Sequence, residues 1–419
     1  MSQKIQIDQN RLFAELTKLS SFTHVEPSPD GTAVTRVVFT PDDLEARAWL
    51  RGIAEAEGFT VRVDPVGNTF FRMEGTDPSL PAVATGSHAD AIPHAGMYDG
   101  TVGVIGGLEA MRALKQAGIR PKRAIETILF TSEEPTRFGI GCLGSRLMSG
   151  TLSPEKADAL KDADDRTLAE VRTAAGFAGD LADVKLAPGH YSAFVELHIE
   201  QGPLLERAGE QIGIVTSIAA PASYRFQIQG LGGHAGALLM PDRRDALCAA
   251  SELILSIERH ALTIGTIDSV ATVGTCDVYP GAVNSVPSRV ALMLDIRDTD
   301  PARRDAIMAA VRADIMEIQT KRGVAISESL VNADAPATSS AAIVDALEAI
   351  CLREGMLYRK MVSRAYHDTL FMASVAPVSM IFIPCRGGVS HRPDEFSTAE
   401  DIARGTLLLA EVLAKVGSD

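Results

Sequence analysis

The amino-acid sequence predicts an α/β fold with a mixed sheet, interrupted by a second, smaller α+β domain. Three observations carry this prediction. Before about Gly213, and again near the C-terminus, apolar runs of strand length alternate with helical stretches. Between these parts, alternating strand patterns dominate. A length of 419 residues also exceeds one ordinary hydrophobic core, so two domains are expected.

The N-terminal part begins with helical spacing of apolar residues from Asn10 to Leu19. A second helix is predicted from Thr40 to Ala56, because Thr40 is a suitable cap and Pro41 suits a first turn. Two alternating strands follow, at 60–64 and 68–72.

The next strand, at 81–85, leads directly into a polar cluster. Its sequence is Gly-Ser-His-Ala-Asp-Ala-Ile-Pro at 86–93 and Gly-Met-Tyr-Asp-Gly at 96–100, so it contains His88, Asp90 and Asp99. A helix at 102–117 and a strand at 124–131 come next, and that strand ends on Ser-Glu-Glu. In α/β sheets, ligands bind at the carboxyl ends of strands, so the cluster is a candidate site.

Residues 153–182 are charged and alanine-rich, which predicts peripheral helix. A strand at 193–198 then carries His198 at its end. From Gly213 the order of predicted elements is strand, helix, strand, strand, helix, strand, so we place an inserted domain at 214–329. The first domain is therefore discontinuous, at 1–213 and 330–419, and its last part contains His391.

Composition narrows the class of partner. A net charge of −14 disfavours nucleic acid and anionic membranes, which both attract basic surfaces. Five scattered cysteines without a C-x-x-C pair indicate a reducing compartment. Neither a signal peptide nor a transmembrane run is recognisable, so a cytoplasmic location is expected.

Candidate metal ligands follow several predicted strands. Imidazole and carboxylate without thiolate suit Zn²⁺, Mn²⁺ or Co²⁺ in a hydrolytic site, and two ligands per metal plus one shared carboxylate fit two metals. Asp90 is placed to fix the tautomer of His88, and Glu133 to take a proton from water. Each residue alone also fits an ordinary hydrogen-bonded pair, so only their joint placement indicates a site. The five candidates are His88, Asp99, Glu134, His198 and His391.

Taken together, these motifs resemble the hydantoinase/carbamoylase amidases, a branch of the binuclear metallopeptidase (M20-like) superfamily. The resemblance covers essentially the whole chain. Beyond the candidate ligands, it includes Glu-Leu-His-Ile-Glu-Gln-Gly at 196–202, Gly-Gly-His-Ala-Gly at 232–236, Asn-Ser-Val-Pro at 284–287 and Asp-Ile-Arg at 295–297.

The resemblance implies a homodimer formed through the inserted dimerisation (lid) domain, with two divalent ions per subunit, Mn²⁺ or Zn²⁺, with Co²⁺ as a third option. It assigns His88 and His198 to one metal, Glu134 and His391 to the other, and Asp99 to both. Further implied roles are the general base (Glu133), the oxyanion donor that reaches the partner subunit (His234) and the substrate-binding set (Gln201, Asn284 and Arg297).

Within the family, several stretches resemble the enzymes that act on ureidoglycolate. They include Ser-Arg-Ala-Tyr-His-Asp at 363–368, where Tyr366 and His367 would contact a substrate hydroxyl, or His367 would only support the site. The implied reaction is hydrolysis of a ureido (N-carbamoyl) group on a small carboxylate, with release of ammonia and carbon dioxide. Allantoate and N-carbamoyl-L-amino acids or N-carbamoyl-β-alanine are alternative substrates, and a non-catalytic binding protein is a remote alternative.

Overall fold

The computed structural model describes residues 4–419, and this part of the chain divides into two compact units. The second unit comprises Ser217–Ala337 and Val362–Tyr366, and the first unit comprises the remaining described residues. Relative to the insertion predicted at 214–329, the second unit ends later and includes a short distant segment. A hydrogen bond from the Ala219 N–H to the Ser363 carbonyl, at 2.8 Å, holds that segment in place.

The strands are numbered in chain order. In the N-terminal part of the first unit they are β1 Val34–Arg36, β2 Thr60–Val63, β3 Thr69–Met73, β4 Val83–His88, β5 Ala91–Ala95, β6 Ile125–Phe130, β7 Ala193–Ile199 and β8 Ile212–Ile218. The second unit follows with β9 Ala220–Gln229, β10 Gly233–His234, β11 Val270–Tyr279, β12 Ser285–Val286, β13 Arg289–Asp298 and β14 Ala325–Ala333. The last strands are β15 Ala337–Thr338, β16 Tyr358–Ser363 and β17 Val378–Ile383.

The α-helices are α1 Gln9–Ser20, α2 Pro41–Ala56, α3 Thr101–Gln116, α4 Leu143–Ser149, α5 Pro154–Asp158, α6 Leu168–Ala174, α7 Leu204–Ala208, α8 Ala246–Ile264, α9 Pro301–Arg322, α10 Ala341–Glu354, α11 Asp368–Met372 and α12 Ala399–Ser418. Within residues 4–419, none of these helices combines the length and the apolar character that crossing a membrane requires.

Across the described chain, nine strands form the main sheet, in the order β15-β8-β17-β7-β4-β6-β3-β2, with β16 beside β8. The four central strands, β17, β7, β4 and β6, are parallel to one another, whereas β8, β3 and β2 pair antiparallel. The predicted mixed α/β sheet is therefore confirmed. Parallel strands place their carboxyl ends at one edge, so residues that follow the four central strands meet there.

Both faces of the main sheet are covered, so every residue of the central strands β4, β6, β7 and β17 is buried. On β6, Ile125 and Leu129 join the core that α1, α3 and α12 complete. Ile128 and Phe130 join the core on the opposite face, beside α4 and α6. Alternate residues of one strand thus point to two separate cores.

The second unit has a four-stranded antiparallel sheet among its described residues, in the order β11-β13-β9-β14. Tyr224, Phe226 and Ile228 alternate along β9 and face one core, to which α8 and α9 contribute. Apart from the short pair β10–β12, its elements follow the predicted order of strand, helix, strand, strand, helix, strand.

Two local predictions were wrong. Residues 153–182 form only the short helices α5 and α6 and a final turn of 3₁₀-helix, because turns with positive φ at Asp165, Gly176 and Gly179 interrupt the helical composition. Thr40 precedes α2 but makes no side-chain cap: its hydroxyl donates to the Val37 carbonyl at 2.7 Å instead.

Candidate metal centre

All five predicted ligands follow, or end, elements at the carboxyl edge of the parallel strands. His88 is the last residue of β4, and His198 is the last but one of β7. Glu134 follows β6, His391 follows β17, and Asp99 lies just before α3. The sheet therefore brings these five residues, which are spread over about 300 positions of the sequence, to one edge. This agrees with the rule that ligands bind at the carboxyl ends of parallel strands.

The first ligand group consists of His88, His198 and Asp99, whose ligand atoms lie within 4.8 Å of one another. Asp99 Oδ1 is 3.5 Å from His88 Nε2 and 3.1 Å from His198 Nε2. The opposite ring nitrogens, Nδ1, lie 3.0 Å from the Asp90 carbonyl and 2.8 Å from the Ile199 carbonyl. Because each Nδ1 donates its hydrogen there, a neutral ring presents the lone pair of Nε2 to the carboxylate, which suits a cation between them.

The second group consists of Asp99, Glu134 and His391, also with ligand atoms within 4.8 Å of one another. His391 Nε2 lies 3.4 Å from Asp99 Oδ2 and 3.2 Å from Glu134 Oε1. Asp99 thus turns one oxygen to each group. His391 is the most accessible of the three, since 45% of its side chain is exposed, compared with 8% for Asp99. This shared carboxylate is the arrangement that two neighbouring metal ions require.

Electrostatics at the site also favour cations. Hydrogen bonds to Asp99 and Glu134 raise the pKa of His391 to about 11. Burial alone would lower the pKa of His88, but the carboxylates of Glu133 and Asp99 outweigh it and raise that pKa well above its ordinary value. The donor set therefore binds positive charge strongly, whether protons or metal ions, and its nitrogen and oxygen donors fit a divalent cation.

Gly100 makes room for the first group. Its φ is +68°, a conformation that side chains rarely adopt, and a Cβ there would lie 2.4 Å from His88 Nε2. Its N–H also donates to His198 Nε2 at 3.1 Å. Any residue other than glycine would displace the imidazole of His88.

The structure gives Asp90 a different contact from the predicted one. Its backbone carbonyl, not its carboxylate, faces His88 Nδ1, and the carboxylate stays 3.8 Å away. That carboxylate instead accepts the backbone N–H groups of Glu133, at 3.3 Å, and Glu134, at 3.0 Å. Asp90 therefore orients the loop after β6 as well as His88, because a buried carboxylate needs several donors.

Glu133, the predicted base, is a buried carboxylate beside the first group. Its Oε2 lies 3.8 Å from His88 Nε2. Burial and the nearby carboxylates of Glu134 and Asp368 raise its pKa well above the ordinary range. The Cys142 thiol lies 3.4 Å from Glu133 Oε1, a contact that sequence reasoning missed because nothing marked this cysteine. A raised carboxyl pKa is the property that a general base needs.

Gln201, which was predicted to bind substrate, contacts Asp99 in this structure. Its Nε2 donates to Asp99 Oδ2 at 2.6 Å, while its Oε1 is buried and has no hydrogen-bond partner among the residues that the structure describes. Ser390 is a second neighbour of the same oxygen, with its Oγ 2.5 Å from Asp99 Oδ2. The shared carboxylate is thus held by side chains from two loops.

His367 is almost fully buried, and its ring centre lies 4.5 Å from that of His198. Together with Glu196, these two histidines form a further group of possible ligands. Glu196 was missed, although it occurs in the predicted motif at 196–202. It accepts hydrogen bonds from Ser87 Oγ, at 2.7 Å, and Thr369 Oγ1, at 2.5 Å, so its oxygens are already occupied.

The other predicted residues lie in the second unit, in two pairs. His234 is adjacent to Asn284, because the N–H of Ala235 donates to the Asn284 carbonyl at 2.9 Å. Arg297 lies over Tyr366, with its guanidinium carbon 5.3 Å from the ring centre. It also forms a two-point contact with Asp295, at 2.7 and 3.2 Å.

Comparisons with known proteins identify the family. The family model described as Peptidase family M20/M25/M40 matches residues 84–415. A ureidoglycolate hydrolase from Arabidopsis thaliana is 48% identical, over 100% of this chain and 89% of that protein. An N-carbamoyl-L-amino acid amidohydrolase from Geobacillus stearothermophilus is 39% identical, over 97% of each chain. An allantoate amidohydrolase from Escherichia coli is 32% identical, over 91% of this chain and 92% of that protein.

Solved structures agree with these relatives. The crystal structure of AtUAH in complex with (S)-hydroxyglycine matches with a TM-score of 0.89 and 47% identity, over 99% of each chain. An amidase of the hydantoinase/carbamoylase family from Burkholderia multivorans matches with a TM-score of 0.89 and 35% identity, over 99% of each chain. The predicted family is confirmed: the chain belongs to peptidase family M20/M25/M40 and, within it, to the hydantoinase/carbamoylase amidases.

Proposed function

We propose that this protein is a metal-dependent amidohydrolase that removes the carbamoyl group of ureidoglycolate. The shared position of Asp99 between two ligand groups is the observation that carries the reaction class. The substrate rests on the 48% identity with a ureidoglycolate hydrolase. A further support is chemical: (S)-hydroxyglycine, the ligand bound to the neighbouring AtUAH structure, is what remains of ureidoglycolate after loss of its carbamoyl group.

Two divalent metal ions per subunit are proposed, Mn²⁺ or Zn²⁺, with Co²⁺ as a third option. His88 and His198 would hold one, Glu134 and His391 the other, and Asp99 both. When bound, such ions polarise a carbonyl group and activate water for attack on it. The nitrogen and oxygen donors fit all three metals, and none of the ligands is a thiolate.

Glu133 is proposed as the proton carrier. It would accept a proton from the attacking water and donate it to the nitrogen that leaves the ureido carbon. Its raised pKa supports the first step, because the carboxyl group then binds a proton readily. Ammonia leaves, and the carbamate that forms decomposes to carbon dioxide and hydroxyglycine.

Substrate binding is proposed for five further residues. Arg297 would bind the carboxylate of the substrate, since its planar fork matches a carboxylate at two points. Asn284 and Gln201 would bind polar groups, and Tyr366 and His367 the substrate hydroxyl. His234, which is exposed, would stabilise the oxyanion in the site of a partner subunit.

The last role requires a homodimer formed through the inserted domain, proposed at 214–329. Large apolar side chains are exposed there, including Leu239, Met240 and Val283, which supports an interface. Sedimentation of the wild type and of Val283→Asp tests this: a dimer that Val283→Asp shifts towards monomer is expected, and a monomeric wild type would contradict it.

A cytoplasmic location stays a proposal, supported by five unpaired cysteines.

Ammonia release tests the function. We expect the metal-loaded protein to release ammonia fastest from ureidoglycolate, and more slowly from allantoate, N-carbamoyl-L-amino acids and N-carbamoyl-β-alanine. Rapid turnover of a carbamoyl amino acid, with ureidoglycolate untouched, would refute ureidoglycolate as the substrate. It would favour the activity named for the relative that is 39% identical. Turnover of none of the four would favour a binding protein, although no proposed ligand or base is missing from the sequence.

Glu133→Gln is the control for the base. It should keep its metal content and lose turnover by about 10²- to 10⁴-fold, the usual contribution of general acid–base catalysis. Glu126→Gln, another buried glutamate in the first unit, should keep its turnover. An active Glu133→Gln enzyme would refute the assignment of the base.

A further inference from the structure

The buried carboxylate of Glu395 joins two loops that carry proposed metal ligands. It is only 4% exposed. Its Oε1 accepts the backbone N–H groups of Tyr98, at 2.8 Å, and Asp99, at 3.0 Å. Its Oε2 lies 2.9 Å from Ser390 Oγ. One side chain therefore holds the loop before α3 and the loop after β17.

Ser390 extends this connection to the ligand atoms themselves. Its Oγ also lies 2.5 Å from Asp99 Oδ2, the oxygen that faces His391. Ser390 is the residue directly before His391 in the chain. The contacts thus run from Glu395 through Ser390 to the shared carboxylate and to the backbone of His391.

The space for Glu395 depends on Gly96. A Cβ at position 96 would lie 2.4 Å from both the Cβ and the Oε1 of Glu395. Such a distance is far below van der Waals contact, so a side chain there would push Glu395 away from the N–H groups of Tyr98 and Asp99. Gly96 and Glu395 therefore fit each other across two loops.

The two ligand groups differ in how firmly the fold holds them. His88 and His198 lie on buried strands, and their Nδ1 atoms contact main-chain carbonyls. His391 lies in a loop, with φ of +60° and a half-exposed side chain. The second group thus has little support from secondary structure.

We propose that Glu395 is a positioning residue for the cation bound by Asp99, Glu134 and His391, an inference that rests on the proposed two-cation function. It is not one of the proposed ligands, because both of its carboxylate oxygens accept hydrogen bonds from the two loops. By fixing the backbone of Asp99 and the hydroxyl of Ser390, it sets the distance between the shared carboxylate and His391. Residues that hold ligands in this way commonly contribute strongly to metal affinity.

Titration of the metal-stripped full-length protein with Mn²⁺ tests this, by calorimetry and by electron paramagnetic resonance of free Mn²⁺. The wild type should bind two ions. Glu395→Ala should bind one ion as before and the other about 10- to 100-fold more weakly. Glu395→Gln keeps an oxygen that accepts the two N–H groups, so its affinity should stay close to that of the wild type.

Gly96→Ala and Ser390→Ala provide independent variants in case Glu395→Ala does not fold. Both should lower the affinity for the ion bound by Asp99, Glu134 and His391. Gly96→Ala does so by displacing Glu395, and Ser390→Ala by removing the hydroxyl that links Glu395 to Asp99. Glu126→Ala is the matched control, because Glu126 is a buried glutamate that pairs with Arg72 and Tyr191. It should bind both ions normally.

Two results would overturn the proposal, and they differ. Two ions bound with unchanged affinity by Glu395→Ala and Ser390→Ala would refute the role of Glu395 alone. A wild type that binds fewer than two Mn²⁺ ions would refute the two-cation function, and this inference with it.

Discussion

Among single residues, Asp99 is the one on which the proposed metal centre depends most, because both ligand groups use its carboxylate. Burial opposes its ionisation, yet the imidazoles of His198, His391 and His88 outweigh burial and hold its pKa well below the ordinary range. A buried negative charge of this kind is stable only with positive partners. Protons on the histidines supply that charge in the absence of metal.

Metal binding should therefore release protons. The pKa of His391 is raised to about 11, so the free site holds this proton at pH 7.5, whereas a metal ligand must be deprotonated. Affinity should fall as the pH falls, because protons then compete better. Mn²⁺ is titrated by calorimetry in Pipes and in Tris, two buffers whose ionisation enthalpies differ. The difference between the two heats, divided by the difference in ionisation enthalpy, should correspond to at least about one proton released per pair of ions.

His391→Ala is the control for that titration. On binding Mn²⁺ this variant should release fewer protons than the wild type. It should also bind the ion of the second ligand group more weakly. Equal heats in the two buffers for the wild type would contradict the proton release.

Arg297→Lys should raise KM for the carboxylate substrate and change kcat less. Lysine keeps the positive charge but loses the two-point geometry, and a charge-assisted hydrogen bond contributes about 1.5–3 kcal/mol, or roughly 10- to 150-fold. Initial-rate kinetics give the comparison. Arg303→Lys, in the same unit and paired with Asp298, is the control and should leave KM unchanged. An unchanged KM in Arg297→Lys would remove Arg297 from the substrate site.

The order of the site residues could be read from the sequence, but several of their contacts could not. His88, Glu134 and His198 follow apolar strands, and strand ends meet at one edge. The carboxylate of Asp90, however, binds N–H groups that lie 43 and 44 residues away. Glu395 binds N–H groups almost 300 residues away. Such contacts depend on tertiary packing, so no local sequence pattern predicts them.

At the scale of elements, α2 contains a charged pair inside the core. Asp43 and Arg47 are one turn apart and almost fully buried, with Arg47 Nε 2.9 Å from the carboxylate. Asp43 also accepts the Phe39 N–H at 2.8 Å, and Arg47 donates to the Gly67 carbonyl at 2.9 Å. The pair therefore joins α2 to the loops on either side of it.

Asp43→Ala should lower the free energy of unfolding by about 3–5 kcal/mol, since it leaves the guanidinium of Arg47 buried without its partner. Urea unfolding monitored by circular dichroism measures this. Glu45→Ala, at an exposed position of the same helix, should change stability by less than about 0.5 kcal/mol. A loss below about 1 kcal/mol in Asp43→Ala would show that water reaches Arg47.

Elements were predictable where their apolar period was regular and buried. The helices α1, α3 and α12 and the strands β6 and β7 have such patterns. Residues 153–182 were misread because alanine and charged residues favour helices only where turns do not intervene. The strand β5 was missed because Pro93 interrupts its pattern, and among residues 4–419 its one partner strand is β1.

At the scale of the whole molecule, the boundary between the units depends on long-range pairing. Residues 362–366 join the second unit although they follow more than twenty residues of the first. No local pattern in this segment assigns it to the second unit. Conversely, the change of strand pattern near Gly213 is local, and the second unit begins nearby, at Ser217.

Removal of metal should destabilise the first unit selectively, because all five proposed ligands lie in it. A ligand present at 1,000 times its Kd stabilises the folded state by about 4 kcal/mol. Trp49 is the single tryptophan of the chain and packs against Phe22 in the first unit, so its fluorescence reports on that unit alone. EDTA should lower the midpoint of the thermal transition seen by Trp49, and added Mn²⁺ should restore it.

The second unit provides the internal control, since its core of β9, β13, α8 and α9 contains no proposed ligand. Calorimetric scans should therefore retain one transition that EDTA leaves unchanged. If the Trp49 transition does not respond to EDTA, the ions do not bind at the edge of the main sheet. If both transitions shift together, the two units unfold as one, and the metal centre stabilises the chain as a whole.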